Sequence, residues 1–173
     1  MLTEAQIVRH GRQILLREVG GRGQERLLAS PVRALGSGPG LDDAVAWLLA
    51  GGTPVIAAPP LGGFLVGEDI VALNPDARSS REPVLELAPA GTASTARAQV
   101  VLGAGVAFRA PHACDDCWAQ VLQRLPAGDP PAAGSLAALV SQRLILGWSE
   151  PLGLVLWNGD HFENAPIPAC GHL

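Results

Sequence analysis

The chain has 173 residues, 48% of them hydrophobic and 16% charged, so it is long enough to bury a core in one domain and too apolar to be intrinsically disordered. All 12 basic residues are arginines and the net charge is −4; without a basic cluster, nucleic-acid binding has no electrostatic basis. The polar start, Met1 to Glu4, does not resemble a secretory signal, and three cysteines are an odd number. We therefore expect a cytoplasmic protein with a metal site rather than disulfides.

The first third of the sequence predicts three helices and two strands. Thr3 and Gln6 show the pattern of a capping box, in which each residue bonds the other at a helix start. The predicted segments are a helix from this box to about 10–11, a helix over 23–28, a strand over 32–35, a helix over 42–49 and a strand over 55–58. A glycine turn, GSGPG at 36–40, separates the first strand from the third helix. Strand, glycine turn, helix and strand in this order begin a parallel nucleotide-binding sheet.

One uncharged stretch, from Ala44 to Gly67, is long enough to be considered as a membrane span. Glycine and proline interrupt it at 51–54 and at 59–60, and in lipid the backbone groups freed by those breaks would lack partners. A buried helix followed by a buried strand explains the same composition, so no membrane span is predicted.

The rest of the chain predicts further strands and two helices. The predicted segments are a strand over 84–87, one or two buried strands within 99–109, a helix over 118–125, a loop over 126–133, a helix capped by Ser135 and ended by Gly147, and a strand over 154–157. Trp47, Trp118 and Trp157 lie in apolar runs and are expected in the core, whereas Trp148 is a candidate interface anchor. The predicted fold class is α/β, a shortened Rossmann-like and largely parallel sheet with an N-terminal helical arm.

The three cysteines have the spacing of a metal site. Cys114 and Cys117 form a Cys-x-x-Cys pair, and Cys170 precedes His172 by two residues near the carboxyl terminus. Two such pairs can hold one tetrahedral zinc ion. These four residues are the predicted ligands; His112 is the alternative fourth ligand, and three buried thiols without metal are the alternative to a site. Such a zinc would be structural, a clasp that ties the end of the chain to the Cys114 segment.

Several short segments of the sequence are similar to the sequence motifs of one protein family. RHGRQILL at 9–16 resembles the opening R-x-x-R-Q-I-L-L of the ThiF/MoeB/HesA family, the adenylating proteins related to ubiquitin-activating enzymes. GQERLLAS at 23–30 resembles the family's G-Q-E-K-L-x-x-S, and GSLAAL at 134–139 resembles its G-S-L-Q-A-x-E helix. The two cysteine pairs fall in the places of the family's zinc knuckles, although Ile167 stands where the third family cysteine would be.

The resemblance extends over about 2–52 and 105–172 and implies a single ThiF-like domain. Its parts would be a helical arm at 1–30, a degenerate glycine-turn unit at 31–60 and a zinc-clasp half at 99–173. Because the family makes acyl-adenylates, the resemblance by itself implies ATP and Mg²⁺ as ligands.

Departures from the family pattern fall on the residues that handle the nucleotide. Of the family turn G-x-G-G-x-G, only Gly36, Gly38 and Gly40 remain as nucleotide-binding candidates, and Pro39 at the third glycine position has no N–H to donate. The chain has no lysine to match the family lysine near the phosphates, and no acidic residue lies in 99–104, where the magnesium-linked aspartate is expected. These departures argue against ATP and Mg²⁺ binding.

Charged residues near the turn suggest other roles. Asp42 and Asp43 follow it, and because carboxylates suit a helix N-terminus, we expect them to cap the helix and to take the electrostatic place of a phosphate. Arg12 matches the family arginine that reaches into the partner subunit's ATP site in homodimers. Its alternative role is an exposed helix arginine paired with Glu4 or Glu18.

From these departures we expect a degenerate relative of the family that serves as a dimerising or partner-docking subunit. Its partner would be a second copy, an active paralogue or a small ubiquitin-like sulfur carrier. Two alternatives stay open: a minimal adenylyltransferase of cofactor or thiolated-product synthesis, and a peptide-binding accessory protein of natural-product maturation. No cysteine remains for thioester chemistry, so no catalytic residue is predicted apart from Arg12 acting in trans.

Overall fold

A computed structural model describes residues 1–58 and 82–167, and within these ranges the chain forms five helices and seven strands. The helices are α1 (Glu4–Ile14), α2 (Gly20–Ala29), α3 (Pro39–Ala50), α4 (Asp115–Arg124) and α5 (Pro131–Leu146). The strands are β1 (Val32–Leu35), β2 (Val55–Ala58), β3 (Leu85–Pro89), β4 (Gln99–Gly103), β5 (Gly105–Arg109), β6 (Leu152–Trp157) and β7 (Phe162–Asn164).

The strands form one sheet in the order β2-β1-β3-β4-β5-β6-β7. Strands β2, β1, β3 and β4 pair in parallel, whereas β5, β6 and β7 each pair antiparallel to the strand before them. Strand β6 consequently runs in the same direction as the parallel group, which confirms the predicted α/β class with a largely parallel sheet. Because β2 and β3 lie on opposite sides of β1, the connections change direction there. The crevice at the carboxyl ends of β1 and β3 is the place where open α/β sheets bind ligands.

Helices cover both faces of the sheet. The larger core lies beneath α3 and α5 and includes Leu41, Leu48 and Leu102, all fully buried. The smaller core lies beneath α4 and includes Trp118 and Val121. Helices α3 and α5 pack closely: glycine is needed at Gly134 in α5, because a Cβ there would overlap the Gly40 carbonyl oxygen of α3. This close approach fixes the start of α3 against α5.

The helix ends agree with the sequence in part. The capping box of Thr3 and Gln6 is confirmed, and Gly147, with φ +79°, ends α5 as predicted. Helix α1 continues past a kink at His10 to Ile14. Prediction of the α5 start at Ser135 was wrong: this helix begins one turn earlier, at a proline in the first helical position, where a missing N–H costs nothing.

The predicted burial of the tryptophans is confirmed only in part. Trp118 is buried as predicted and Trp157 is half-buried, but Trp47 is 55% exposed, because it lies on the face of α3 opposite to the one that packs on the sheet. The short edge strand β7 was not predicted, since its three residues carry no recognisable pattern. No helix within residues 1–58 and 82–167 is long and apolar enough to cross a bilayer; the uncharged stretch forms α3 and β2 as far as residue 58, and its remainder lies outside the described residues.

Candidate functional site

The glycine turn lies at the carboxyl end of β1, beside the carboxyl end of β3. Gly36 has φ +83°, and a Cβ there would lie 3.2 Å from Cδ of Pro89. A side chain at this position would therefore be strained by its backbone and crowded by the neighbouring strand. The turn opens into the crevice at the switch point, and α3 begins directly after it with Gly38 as N-cap.

A carboxylate from a distant loop is seated on this turn. Asp129, in the loop between α4 and α5, lies against Gly38 and Gly40, and its Oδ1 is buried without a hydrogen-bond partner among the described residues. A Cβ at Gly38 would overlap Oδ2 of Asp129, and a Cβ at Gly40 would overlap Oδ1, with Cγ 3.1 Å and 3.2 Å away. The two glycines thus make room for an acidic side chain of the same chain at the place where such turns hold a phosphate.

The turn between β4 and β5 fixes the loop that carries Asp129. The Pro126 carbonyl oxygen accepts a hydrogen bond of 2.8 Å from the Ala104 N–H, in the turn between β4 and β5. Gly128, with φ +149°, packs directly on Ala104. Sequence reasoning missed Asp129, because no local motif connects a loop carboxylate with a glycine turn so far upstream.

A second carboxyl group is buried beside the first. Asp42 is only 7% exposed, and its Oδ1 has no hydrogen-bond partner among the described residues. Burial raises the pKa of Asp42, and the negative charge of Asp129 raises it further. Burial likewise raises the pKa of Asp129, while the nearby backbone of Gly40 opposes this shift. The turn is therefore an acidic and poorly solvated place.

The predicted capping role of Asp42 and Asp43 was wrong. No side chain bonds the start of α3, which begins at Pro39, so the two aspartates lie beyond the capping position. Asp43 instead accepts a hydrogen bond of 2.6 Å from the Ser135 hydroxyl, which links α3 to α5. The carboxylate that lies against the turn is that of Asp129, a residue that the sequence did not indicate.

The crevice contains no described carboxylate that could serve as a magnesium ligand on its β3 side. Strand β3, not β4, is the neighbour of β1, so the family's magnesium-linked aspartate should be sought at the end of β3 rather than at 99–104. The residues there are Pro89, Ala90, Gly91 and Thr92.

The N-terminal segments that resemble the family, 9–16 and 23–30, pack against the carboxyl end of α3. His10 is buried, and Gln24 donates a hydrogen bond of 3.1 Å to the Gly51 carbonyl. Gly52, with φ +90°, leaves room for both side chains. Arg12 is exposed on α1, and it forms no ion pair with Glu4 or Glu18, all three being described residues. The alternative role as a paired helix arginine was therefore wrong.

The first cysteine pair lies at the start of α4. Cys114 is the N-cap residue and half-buried, and Cys117 is buried one turn later. Two hydrogen bonds hold this helix to the sheet: Arg109 to Asp115 (2.6 Å) and Trp118 to Gln99 (2.9 Å). The position of the pair is consequently well defined.

The other predicted zinc ligands cannot be placed. Cys170 and His172 lie outside the described residues, and His112 is exposed. Within the described ranges, no group of three or more His, Cys, Asp or Glu side chains could hold a metal ion. The zinc site therefore stays a prediction. After β7 the chain runs back towards α4, where Arg124 donates to the Pro166 carbonyl oxygen and Ile167 packs on the smaller core.

A second concavity lies on the antiparallel half of the sheet. It has a volume of about 490 Å³ and lies between α5 and strands β5 to β7. Its apolar lining includes Phe108, Leu136, Leu139, Val140, Phe162 and Ile167. A Cβ at Gly153 would overlap the Phe108 ring, so glycine at this position in β6 lets the ring lie across the strand and shape the groove.

No protein-family model matches the chain, and no curated protein matches it. Solved structures do. The chain is similar to PaaA, with a TM-score of 0.61, 13% identity, and coverage of 96% of this chain and 75% of PaaA. It is similar to Escherichia coli MccB in complex with MccA (TM-score 0.56, 13% identity, coverage 99% and 74%) and in complex with ATP (TM-score 0.55, 13% identity, coverage 94% and 73%). At this identity the likeness establishes that the chain shares the fold of PaaA and MccB.

Proposed function

We propose that this protein is a ThiF/MoeB-like protein that makes no acyl-adenylates and serves as a dimerising or partner-docking subunit. The observation that carries the proposal is the Asp129 carboxylate seated on the glycine turn. An ATP phosphate at this place would have to displace Asp129 and then lie beside the buried carboxyl group of Asp42.

The electrostatic balance at the turn opposes a phosphate. Adenylation concentrates negative charge on a phosphorus atom and depends on cations around it. Two unit charges of like sign 4 Å apart repel by about 4 kcal/mol at an effective dielectric constant of 20, whereas a helix N-terminus contributes only about 1 kcal/mol to anion binding. The chain has no lysine to change this balance, and Pro39 removes one N–H donor from the first turn.

A titration with Mg-ATP tests the loss of nucleotide binding. We expect no saturable heat when the full chain is titrated calorimetrically at micromolar concentrations. Escherichia coli MccB, whose structure holds ATP, is the positive control. Micromolar binding by this chain would overturn the proposal and favour the minimal adenylyltransferase.

The docking role is supported by exposed apolar side chains on helices that face away from the sheet. Leu15 and Leu16 follow α1, Trp47 is on α3 and Leu139 on α5, and each is more than half exposed. If the partner is a second copy, Arg12 would be placed to act on it in trans. Size-exclusion chromatography with light scattering distinguishes a homodimer from a monomer whose partner is a paralogue or a sulfur carrier. If Arg12→Ala leaves a dimer unchanged, Arg12 has no part in its assembly.

We further propose a structural zinc held by Cys114, Cys117, Cys170 and His172. A Cys-x-x-Cys pair fixed at a helix start fits a zinc knuckle. Ile167 lies near α4, where Arg124 donates to the carbonyl oxygen of the neighbouring Pro166. The three residues from Ile167 to Cys170 can span about 10 Å. The rise of α4 from Arg124 back to Cys117 is about the same length, so the chain is long enough for Cys170 to reach Cys117. Metal analysis of the purified chain should find one zinc per molecule, and Cys117→Ser should abolish it. Less than about half an equivalent in the wild type would contradict the clasp.

A peptide-binding role is the second candidate, because the groove beside α5 adjoins the edge strand β7. An extended peptide can pair with a free sheet edge and place alternate side chains in an adjacent groove. MccB, which shares the fold, was solved with MccA bound. Leu139→Asp, at an exposed position of the groove lining, should weaken capture of such a peptide, whereas Leu16→Asp, at an equally exposed position outside the groove, should leave capture unchanged.

A further inference from the structure

We propose that Cys114 and Cys117 are a redox-active dithiol, which closes to a disulfide by exchange with a small-molecule disulfide and reopens when a thiol reduces it. Cys-x-x-Cys pairs at helix starts serve in proteins both as zinc ligands and as such dithiols. The inference goes beyond the proposed function, because it involves neither a nucleotide nor a partner chain. It also differs from the zinc clasp, since a disulfide needs only these two sulfurs.

The positions of the two cysteines suit a bond between their sulfurs. Cys114 is the N-cap residue of α4, with an extended backbone (φ −65°, ψ 131°), and Cys117 is the third residue of the helix. Both are in the thiol form in this structure. Positions three residues apart along a helix have Cα atoms about 5 Å apart, and disulfides join Cα atoms about 4.4–6.8 Å apart. The bond can therefore form by rotation of the side chains.

Side-chain contacts hold the start of α4 on the sheet. Arg109 on β5 donates to Asp115 at 2.6 Å, and its guanidinium carbon lies 5.4 Å from the centre of the Trp118 ring. The Trp118 indole N–H donates to Gln99 on β4 at 2.9 Å. Asp115 directly follows the first cysteine and Trp118 directly follows the second, so these contacts keep the two sulfurs close. Closing so short a loop costs little entropy, which favours this pair over one with a distant cysteine.

The two thiols differ in exposure, which gives them different roles. Cys114 is half-buried, whereas Cys117 is only 4% exposed. Cys114 can therefore attack a dissolved disulfide, forming a mixed disulfide and releasing one reagent thiol. Cys117 then attacks the Cys114 sulfur and releases the second reagent thiol. The two protein thiols lose two electrons and two protons, and the reagent disulfide takes them up.

The charges beside Cys114 favour a cationic reagent. Asp115 and Asp116 are both exposed, and Arg109 balances the charge of Asp115. Among the residues that the structure describes, Asp116 forms no ion pair. Its carboxylate attracts a cationic disulfide and repels an anionic one, by about threefold per unit charge at about 7 Å in water. Disulfides of amine-bearing thiols should therefore react in preference to glutathione disulfide, which is negatively charged.

Thiol blocking and mass spectrometry of the full chain test the disulfide. The reduced chain is mixed with cystamine, with a chelator present to remove any bound zinc, and the remaining thiols are then alkylated. We expect peptide mapping to find a disulfide between Cys114 and Cys117, with Cys170 alkylated. Cys170→Ser is the matched control and should react as the wild type does. Cys117→Ser should stop at a stable mixed disulfide on Cys114, because the second attacking thiol is gone.

The charge preference is tested by the ratio of the reaction rates with cystamine and with glutathione disulfide. Asp116→Asn should lower this ratio by at least about threefold at low ionic strength, and added salt should lower it in the wild type. Asp160→Asn, which removes an exposed carboxylate in the β6–β7 turn, should leave the ratio unchanged. A ratio that Asp116→Asn does not alter would overturn the preference for a cationic reagent.

Three results would overturn the dithiol itself: a wild-type disulfide that includes Cys170, a mixed disulfide that persists in the wild type, or a Cys114 that does not react. Circular dichroism shows whether Cys117→Ser is folded; if it is not, peptide mapping of the wild type decides alone. None of these measurements depends on Mg-ATP binding or on oligomeric state. The inference and the proposed function can therefore fail independently.

Discussion

The two ends of α3 are both contacted by residues from distant segments, but with opposite consequences. At the carboxyl end, the neutral side chain of Gln24 donates to the Gly51 carbonyl, which suits the negative end of a helix and adds no charge. At the amino end, the carboxylate of Asp129 lies against Gly38 and Gly40, which also suits the helix, yet the buried Asp42 adds a second carboxyl group. The comparison teaches that one carboxylate at the start of a helix is favourable, because its charge is opposite to that of the helix end. A second carboxyl group buried beside it is unfavourable, because the two like charges repel each other.

The largest expected effect lies at the carboxyl end. Gly52→Ala places a Cβ at φ +90°, 2.5 Å from Nε2 of Gln24 and 2.9 Å from Cε1 of His10. Backbone strain and overlap together should lower the free energy of unfolding by about 3 kcal/mol, measured by urea denaturation. Gly91→Ala is the matched control: its φ is +86° but nothing lies within 4 Å, so it should cost only the backbone part, about 1–2 kcal/mol. Equal losses in the two variants would show that the arm does not pack tightly on α3.

A smaller effect is expected at the amino end and depends on Asp129. Gly40→Ala should destabilise the wild type by about 2 kcal/mol, because its Cβ would overlap the carboxylate of Asp129. In the Asp129→Ala background the same change should cost about 1 kcal/mol less, a coupling measured by a double-mutant cycle. Additive losses would mean that Asp129 is not seated on the turn in solution.

The smallest effect concerns charge alone and should appear as a pH dependence. Because the pKa of Asp42 is raised in the folded protein, its ionisation costs stability at neutral pH, and that cost disappears as the pH falls below the ordinary value of 3.8. Asp42→Asn should therefore raise the free energy of unfolding by about 1 kcal/mol at pH 7, with the gain shrinking towards pH 4. Asp160→Asn, at an exposed position, should show no such trend in thermal melts. A gain that grew on acidification would reverse the assigned sign.

The sequence predicted the glycine turn but not that Asp129 lies against it. Gly36, Gly38 and Gly40 were recognisable because a turn between a strand and a helix has a local signature. Asp129 had none: it becomes part of the site only because α5 returns beside α3 and brings its preceding loop to the turn. The predicted capping by Asp42 and Asp43 was wrong for a related reason, since the proline that starts α3 moved the helix boundary upstream.

Local patterns by themselves determined the capping box of Thr3, the helix stop at Gly147, the α/β class and the absence of any lysine for phosphate binding, since these depend on neighbours in the chain or on composition alone. Only the tertiary structure decided that Trp47 faces outward, that β3 rather than β4 borders the crevice, and that the carboxylate of Asp129 lies against the glycine turn. Each of these depends on which segments pack together, and packing is decided by the burial of whole faces, a property that no short window of sequence contains.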